Sequence, residues 1–357
     1  MDKSKWEYKK LGEVATFLNG YAFKPSEWSS EGLPIIRIQN LTNTNAEYNY
    51  YNGDNIDKRY IVNKGDLLVS WSATLGAFIW DGDKALLNQH IFKTIFDKTD
   101  IDKHFLRYSI ISSLNLMFTK AHGITMRHIT KKDFDNIKIR VPSLSTQHCI
   151  VSELDQLSAI ISLKQQQMKE YDALAQSLFY EMFGDMDGSE KSFEKKIFGE
   201  CFKLKSGDSL TAKNIVKGPY AVFGGNGIVG YHSEYNAEGQ QIIIGRVGAL
   251  CGNVHLIDGK NFITDNAFIL SDSIGFDKVY LLYFLSMLNL RDYAREAMQP
   301  VISNKTLKGI TIPLPPLSLQ RSFAEKVKAI EHQKSLLKQS IAETQTLLDS
   351  RMQEYFG

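Results

Sequence analysis

The sequence predicts an α+β chain made by duplication: two similar globular domains separated by two long helices that form an antiparallel coiled coil with pseudo-twofold symmetry. Three observations predict it. The chain repeats itself, each repeat closes on a heptad pattern about 40 residues long, and the stretches between are short β-branched runs punctuated by Gly, Asn and Asp.

The repeat sets the boundaries. "IRVPSLSTQ" (139–147) returns as "IPLPPLSLQ" (312–320), 173 positions later. Residues 136–184 lie on 309–357 without a gap, with 15 of 49 positions identical, and both copies close on Phe-Gly. A second echo, at a different offset, pairs "WEYKKLGEVATFLNG" (6–20) with "FEKKIFGECFKLKSG" (193–207). Insertions or deletions therefore fall inside a variable part of each half. The expected organisation is a first domain over 1–142, a first helix over 143–184, a second domain over 185–315 and a second helix over 316–357.

The domains read as mixed α and β. "GLPIIRIQNL", "GDLLVSW", "IFKTIF", "QQIIIGRVG" and "NFITDNAFIL" have the β-branched character and turn-residue borders of strands. Each domain also holds one helix-like run, "KHFLRYSIISSLNLMFTK" and "DKVYLLYFLSMLNLRDYAREAM". Both are expected to carry many loops.

The long segments read as helices. Ile150, Leu154, Leu157, Ile161, Lys164, Met168, Tyr171, Ala175, Leu178 and Met182 step by four and three. The second copy gives Phe323, Val327, Ile330, Lys334, Leu337, Ile341, Thr344, Leu348, Arg351 and Tyr355 in the same register. Such a 3.5-residue period marks a coiled-coil seam rather than the broader stripe of a surface helix. Neither run contains Pro or Gly. Pro142, Pro315 and Pro316 stand just before the starts, where no backbone donor is needed. Ser145 and Ser318 are the expected N-caps, and Gly184 and Gly357 the C-terminal glycines. About 40 residues at 1.5 Å each give helices roughly 60 Å long. Pseudo-twofold symmetry requires them to pair antiparallel.

Composition removes several function classes. With 43% apolar, 11% aromatic and 23% charged residues, the chain is ordinary for a globular protein. No apolar run approaches the roughly 20 residues of a membrane span, and "MDKSKWEYKK" has no apolar segment behind its charges, unlike a signal peptide. Cys149, Cys201 and Cys251 lie far apart without a CxxC pair, which points to a cytoplasmic location and no zinc site. The net charge of +2 does not announce a nucleic-acid binder. Its distribution says more. Residues 1–142 carry 20 Lys+Arg against 16 Asp+Glu, whereas 143–184 carry two against five. "KAHGITMRHITKK" (120–132) holds four cations, His122 and His128, and no acid. It reads either as a solvated loop or as a phosphate contact.

Recognisable catalytic chemistry is missing. "GGNGIVG" places Gly225, Gly227 and Gly230 at dinucleotide-binding spacing after a possible strand, "YAVF". No apolar helix face follows, and no acidic residue stands about 20 positions on in a second strand. A glycine-rich loop that lets the backbone approach a ligand or groove is the better reading. There is no GxxxxGK[ST], HExxH or GxSxG, and no Asn/Asp-Pro-Pro-aromatic motif. Three readings stay open on the residues alone: a DNA-binding module, a nucleotide-cofactor enzyme using the 225–230 loop, and a coiled-coil scaffold with no nucleic-acid role.

The organisation resembles the DNA-specificity (S) subunit of type I restriction–modification systems over nearly the whole chain. "WEYKKLGEV" and "FEKKIFGEC" look like the family's opening of each target-recognition domain. "LPIIRIQNL", "GDLLVSWSATLGAF", "LLNQHI", "PYAVFGGNGIVGY", "IIIGRVGALCGNV" and "TDNAF" look like its internal motifs. "VPSLSTQ" and "LPPLSLQ" match its Pro-Pro-Leu-x-x-Gln lead into each conserved helix, with Ser143 departing from the second proline.

The resemblance implies a non-catalytic subunit that reads two different half-sites in double-stranded DNA, a fused pseudo-dimer whose halves are free to diverge. Its helices would act as a ruler between the domains. Two modification subunits similar to adenine-N6 methyltransferases would dock on the helices and use S-adenosylmethionine, and restriction subunits would join for cleavage. No cofactor is expected in this chain itself.

Candidate DNA contacts are chosen by residue type and position. Arg37, Gln39 and Asn40 follow a β run, and Arg, Gln and Asn suit guanine and adenine edges. Ser70, Ser72 and Thr74, and Asn88, Gln89 and His90, are placed in polar loops. Arg127, Lys131 and Lys132 suit phosphates. In the second domain the choices are Asn226, Tyr231, Arg246, Asn304 and Lys305.

Overall fold

The computed structural model describes residues 3–43, 45–53, 56–72, 74–120, 129–185, 191, 193–248, 250–295 and 300–357, with the side chains of 116–120 and 212 outside the description. His122, Arg127 and His128 therefore lie outside the described residues. The chain divides into two compact units, residues 1–163 with 340–357, and residues 164–339.

In the first unit the elements run β1 (Glu7–Lys10), α1 (Leu11–Val14), β2 (Thr16–Asn19), β3 (Leu33–Ile36), α2 (Ile38–Thr42), β4 (Asn49–Tyr51), β5 (Ile61–Val62), β6 (Leu67–Ser70), β7 (Gly76–Ile79), β8 (Ala85–Leu87), β9 (Ile91–Ile95), α3 (Lys103–Lys120), α4 (Lys131–Asp135), β10 (Lys138–Val141) and the start of α5 (Leu144–Phe183). Strands β2-β9-β6-β7 form an antiparallel sheet, and β4-β3-β8-β5 a mixed sheet in which β3 and β8 run parallel. β1 pairs with β10.

The core explains why β6, "LLVS", is buried throughout. Successive side chains alternate faces. Leu67 and Val69 join the cluster of Phe17, Phe105 and Phe134, while Leu68 joins that of Ile36, Val62 and Trp80.

The second unit repeats the design. Its elements are the end of α5, β11 (Glu194–Ile197), α6 (Phe198–Cys201), β12 (Phe202–Ser206), β13 (Tyr220–Gly224), β14 (Gly227–His232), β15 (Gln241–Gly245), β16 (Val254–Ile257), β17 (Asn261–Ile263), β18 (Ala267–Asp272), α7 (Lys278–Met287), α8 (Asn304–Leu307), β19 (Thr311–Leu314) and the start of α9 (Leu317–Phe356). The sheet β12-β18-β15-β16 matches β2-β9-β6-β7, and β14-β13-β17 matches β4-β3-β8, with β13 and β17 again parallel. The counterpart of β5 is reduced to a single antiparallel bridge, Ala237 with Asn261 of β17. Ile242 and Ile244 of β15 face the cluster of Phe179, Tyr280 and Phe323, and Ile243 faces that of Ile257 and Ile263. The predicted second helix-like run is shorter than expected. α7 ends at Met287, because Asn289 takes a left-handed conformation (φ 48°) and turns the chain into a 3-10 turn, Leu290–Tyr293.

The long helices hold the predicted register. All twenty heptad positions are buried or half-buried, whereas most others on both helices are exposed. In the first unit the start of α5 meets the end of α9. Ile150 and Leu154 pack with Tyr355, the Tyr355 hydroxyl donates to Glu153, and Arg351 pairs with Glu153 at 2.9 Å. Burial and Glu153 push the Tyr355 phenol up to about 12. In the second unit the end of α5 meets the start of α9. Phe179 and Phe183 close on Phe323 with ring centroids 5.4 Å apart. Lys334, on the seam, reaches Asp172 and Glu331, each at 2.7 Å. Burial alone would lower its pKa, but the hydrogen bonds to those carboxylates outweigh it and hold it raised. Each unit thus shows antiparallel pairing on its own.

The helix starts correct the sequence reading. Ser145 and Ser318 lie one residue inside α5 and α9, so neither is an N-cap. Ser143 stands before α5, with the Thr146 N–H directed at its Oγ (3.4 Å). In α9 that place is taken by Pro316, whose carbonyl accepts from Leu319 and Gln320. The repeated glutamine has a clear physical role. Gln147 is buried; its Nε2 donates to the Pro142 carbonyl (2.8 Å) and its Oε1 accepts from the Asp102 N–H (2.8 Å). Gln320 does the same with Pro315 (2.9 Å) and Asp277 (2.8 Å). Asp102 in turn accepts from the Phe105 N–H in the first turn of α3, and Asp277 from Val279 and Tyr280 in that of α7. The terminal glycines behave as predicted: Gly184 has φ 73° and its N–H reaches the Tyr180 carbonyl, as Gly357 reaches Gln353.

Candidate nucleic-acid interface

Each unit gathers several loops at one set of strand ends through matching backbone hydrogen bonds. In the first, Asn88 N–H donates to the Ile36 carbonyl, Trp71 N–H to His90, and Ile129 N–H to Trp71. In the second, Thr264 donates to Phe223, Arg246 to Asn266, and Ile302 to Arg246. The ends of β3, β6 and β8 and the lead into α4 are thereby held together, as are those of β13, β15 and β17 and the lead into α8.

Glycine makes this gathering possible. A Cβ on Gly20 would lie 2.2 Å from the Asn88 carbonyl oxygen, and one on Gly207 2.3 Å from that of Ile263. These are the last residues of the echoed segments 6–20 and 193–207, so the repeat retains them for close backbone approach.

Most of the predicted residues come to these strand ends, but in different roles. Arg37 and Asn40 stand at the start of α2 rather than at a bare strand end. Asn40 is buried and fully engaged, accepting from the Arg37 N–H (3.0 Å) and donating to the Ala46 and Glu47 carbonyls. Arg37 donates to the Glu47 carbonyl (3.2 Å) and lies over the Trp28 ring. Gln39 is exposed and reaches the same carbonyl at 3.4 Å. Ser70 corrects the loop reading. It is the last residue of β6, completely buried, and its hydroxyl donates to the Ser72 carbonyl. Ser72 is half-buried and Thr74 exposed. Asn88 is held by the backbone, while Gln89 and His90 are exposed, His90 against the Trp71 ring.

The basic stretch is not one loop. Lys120 ends α3, and Lys131 and Lys132 open α4, which Thr130 caps by accepting from the Asp133 N–H. Lys131 pairs with Asp135 and lies over the Phe17 and Phe92 rings; Lys132 is exposed.

In the second unit "GGNG" is a two-residue turn. Gly224 pairs with Gly227, Gly225 and Asn226 form the tip, and Gly227 has φ 101°. A hairpin, not a helix, follows the strand, so the dinucleotide geometry is absent there. Asn226 is exposed and accepts from Asn253 Nδ2 (3.2 Å); Tyr231 is exposed on β14. Arg246 lies over the Phe268 ring, with Nη1 donating to Ser206 Oγ (3.2 Å) and the Asp265 carbonyl (3.4 Å). Asn304 and Lys305 open α8 and are exposed; Asn304 donates to the Leu204 carbonyl.

Sequence reasoning missed two residues here, Trp71 and Asn253. Trp71 occupies the place that Arg246 holds in the second unit, stacked on Phe92 as Arg246 lies on Phe268. Laying "DLLVSW" (66–71) on "QIIIGR" (241–246) would have exposed that match. Trp71 Nε1, Arg37 Nε, Arg246 Nε and Thr264 Oγ1 are buried without a hydrogen-bond partner among the described residues. Unpaired buried polar atoms are costly in a settled core; these four of the ten found among the described residues lie at the two sets of strand ends. Among the described residues no group of His, Cys, Asp and Glu forms a metal site, and no helix is long and apolar enough to cross a membrane.

The profile described as "Type I restriction modification DNA specificity domain" matches residues 3–171 and 190–345. The Escherichia coli type I restriction enzyme EcoprrI specificity subunit is 25% identical over 354 residues, covering 90% of this chain and 86% of that protein. The MjaVIII specificity subunit of Methanocaldococcus jannaschii is 25% identical over 377 residues, covering 92% and 86%. Among solved structures, the S subunit of M. genitalium superposes with a TM-score of 0.60 at 17% identity, covering 100% of this chain and 97% of that one. A chain from a structure on complex assembly and conformational transition of the type I R-M system gives 0.63 at 18%, covering 99% and 98%.

Proposed function

The chain belongs to the family of type I restriction–modification DNA-specificity proteins, and from that premise we propose how its parts divide the work. It is the specificity subunit, reading a bipartite target with one recognition domain per half-site. The observation that carries the division is the doubled set of strand ends: the same scaffold appears twice, with different side chains displayed on it. Trp71, Gln89, His90 and Lys132 face one half-site, and Asn226, Tyr231, Arg246 and Lys305 the other. Arg127 is assigned to a phosphate by residue type alone.

The rest of the reading concerns partners. The paired helices receive two modification subunits, which carry the methyltransferase activity and its S-adenosylmethionine; restriction subunits join for cleavage in the cytoplasm. This chain contributes no catalytic group. The helices set the spacer between the half-sites. Four residues inserted after Lys164 add roughly 6 Å of helix, which should lengthen the spacer by one or two base pairs at about 3.4 Å each and leave both half-sites intact.

The test is a map of N6-methyladenine across the genome with and without this gene. A bipartite methylated sequence that disappears with the gene is the expected result. Unchanged methylation would refute the assignment. A nucleotide-cofactor enzyme would instead bind nicotinamide or adenine nucleotides without DNA, and a scaffold would bind no DNA even with the modification subunits present.

A further inference from the structure

We propose that Asn226 and Asn253 act as one adenine-reading unit in the half-site of the second domain; the proposal rests on the DNA-specificity reading above. The two side chains are joined by one hydrogen bond of 3.2 Å and have no other side-chain partner among the described residues. A primary amide offers both a carbonyl acceptor and an NH2 donor. Joining the two amides through one N–H···O contact leaves the NH2 group of Asn226 free to donate and the carbonyl of Asn253 free to accept, with the second N–H of Asn253 also unspent. Turning both amides over exchanges these roles but leaves the same pair of functions. The unit therefore keeps both functions, N–H donors and a carbonyl acceptor, whichever way the amides are assigned.

Only one base engages a donor and an acceptor together in the major groove. Adenine offers the N7 acceptor and the N6 donor. Guanine offers two acceptors, cytosine a single donor, and thymine an acceptor beside a methyl group.

The surroundings suit close approach to a base edge. Asn226 is exposed at a hairpin tip and flanked by Gly225 and Gly227, so no neighbouring side chain shields it. Asn253 is partly exposed and precedes β16. The tip rests against the end of β15: a Cβ on Gly245 would lie 2.0 Å from the Gly225 carbonyl oxygen, and Arg246 follows directly. The amide pair and the guanidinium therefore share one edge.

Among the described residues of the first domain no such unit stands at this position. The ladder position of Asn253 is held there by Gly76, which pairs with Ser70 as Asn253 bonds to Gly245. The counterpart of Asn226, three residues beyond the strand carbonyl bonded by Asn88 or Thr264, is Gln39, whose amide turns to the Glu47 carbonyl. The two half-sites are thus read by different chemistry at this position.

The experiment is selection from a randomised duplex DNA library by the full chain assembled with its modification subunits, followed by sequencing of the bound DNA. Asn226→Ala and Asn253→Ala should each relax one A·T position in one half-site, with discrimination falling roughly 10- to 100-fold, and leave the other half-site unchanged. Asn226→Asp keeps the shape but replaces the donor by an acceptor, so the preference should move from A·T towards C·G, whose cytosine offers a donor. An unaltered selected sequence in all three variants overturns the proposal, as does an equal loss of binding to every sequence. A wild-type complex that selects no sequence overturns the specificity reading itself, and the amide pair with it.

Discussion

The two halves of this chain agree where they are built and differ where they face outward. Gly20 and Gly207, Gln147 and Gln320, and Asp102 and Asp277 make the same contacts at corresponding places. Trp71 and Arg246, and His90 and Asn266, also correspond in place but differ in chemistry, and the matching amides of Gln39 and Asn226 turn to different partners. Duplication preserved the residues whose backbone partners leave no alternative. At the gathered strand ends the two halves carry different side chains. A protein with identical faces would read a repeated half-site; this one is equipped to read two.

The sharpest way to break the comparison is to remove equivalent core residues. Ile150 and Phe323 occupy the same heptad position, both completely buried. Phe323 also meets the rings of Phe179, Phe183 and Tyr283. Phe323→Ala should cost about 3–5 kcal/mol, and Ile150→Ala about 2–5 kcal/mol, read as shifts in the denaturant midpoint at unchanged slope. A loss below about 1 kcal/mol at either site would mean that the seam does not hold its unit.

Next in size are the glutamines. Gln147→Ala and Gln320→Ala each remove two hydrogen bonds and leave a half-buried N–H and a buried carbonyl unpaired. A loss of about 1–3 kcal/mol per orphaned group is expected, and the two variants should match within about 1 kcal/mol. The equality carries the argument. A large cost in one half and none in the other would show that the repeated motif survives for different reasons in each.

These residues also show what was legible in the sequence. The seam was visible because a heptad is periodic, and periodicity survives even at Lys164 and Lys334. The duplicated Pro-x-Leu-x-x-Gln segment was visible as a repeat, but its purpose was not: the partner of Gln147 is the Asp102 N–H, 45 residues away. The same distance in sequence hid the strand-end cluster. Residue type alone placed Ser70 and Asn40 on the DNA-facing list, yet both side chains satisfy their own loops. It passed over Asn253, whose role depends on a hydrogen bond to a hairpin tip 27 residues earlier. Polar residues near strand ends look alike until their internal partners are known.

The smallest expected effect sharpens the comparison within one helix turn. Lys131 and Lys132 are adjacent, and residue type assigns both to phosphates. Lys131 is already paired with Asp135 and packed over Phe17 and Phe92, whereas Lys132 is exposed and has no ion pair among the described residues. A phosphate contact by Lys131 would have to compete with a carboxylate that it already neutralises. Lys132 has no such competitor, so it should release more counterion on binding. Lys132→Ala should therefore lower the slope of log affinity against log salt by about 0.9, and by the same amount on cognate and unrelated DNA. Lys131→Ala should change the slope less and lower thermal stability more, because it also uncovers two buried rings. The measurement is binding of the complex to both DNAs across a salt series, with a melting curve for each variant. Equal slopes for the two variants would mean that Lys131 leaves Asp135 when DNA binds; an unchanged slope for Lys132→Ala would remove α4 from the phosphate contacts.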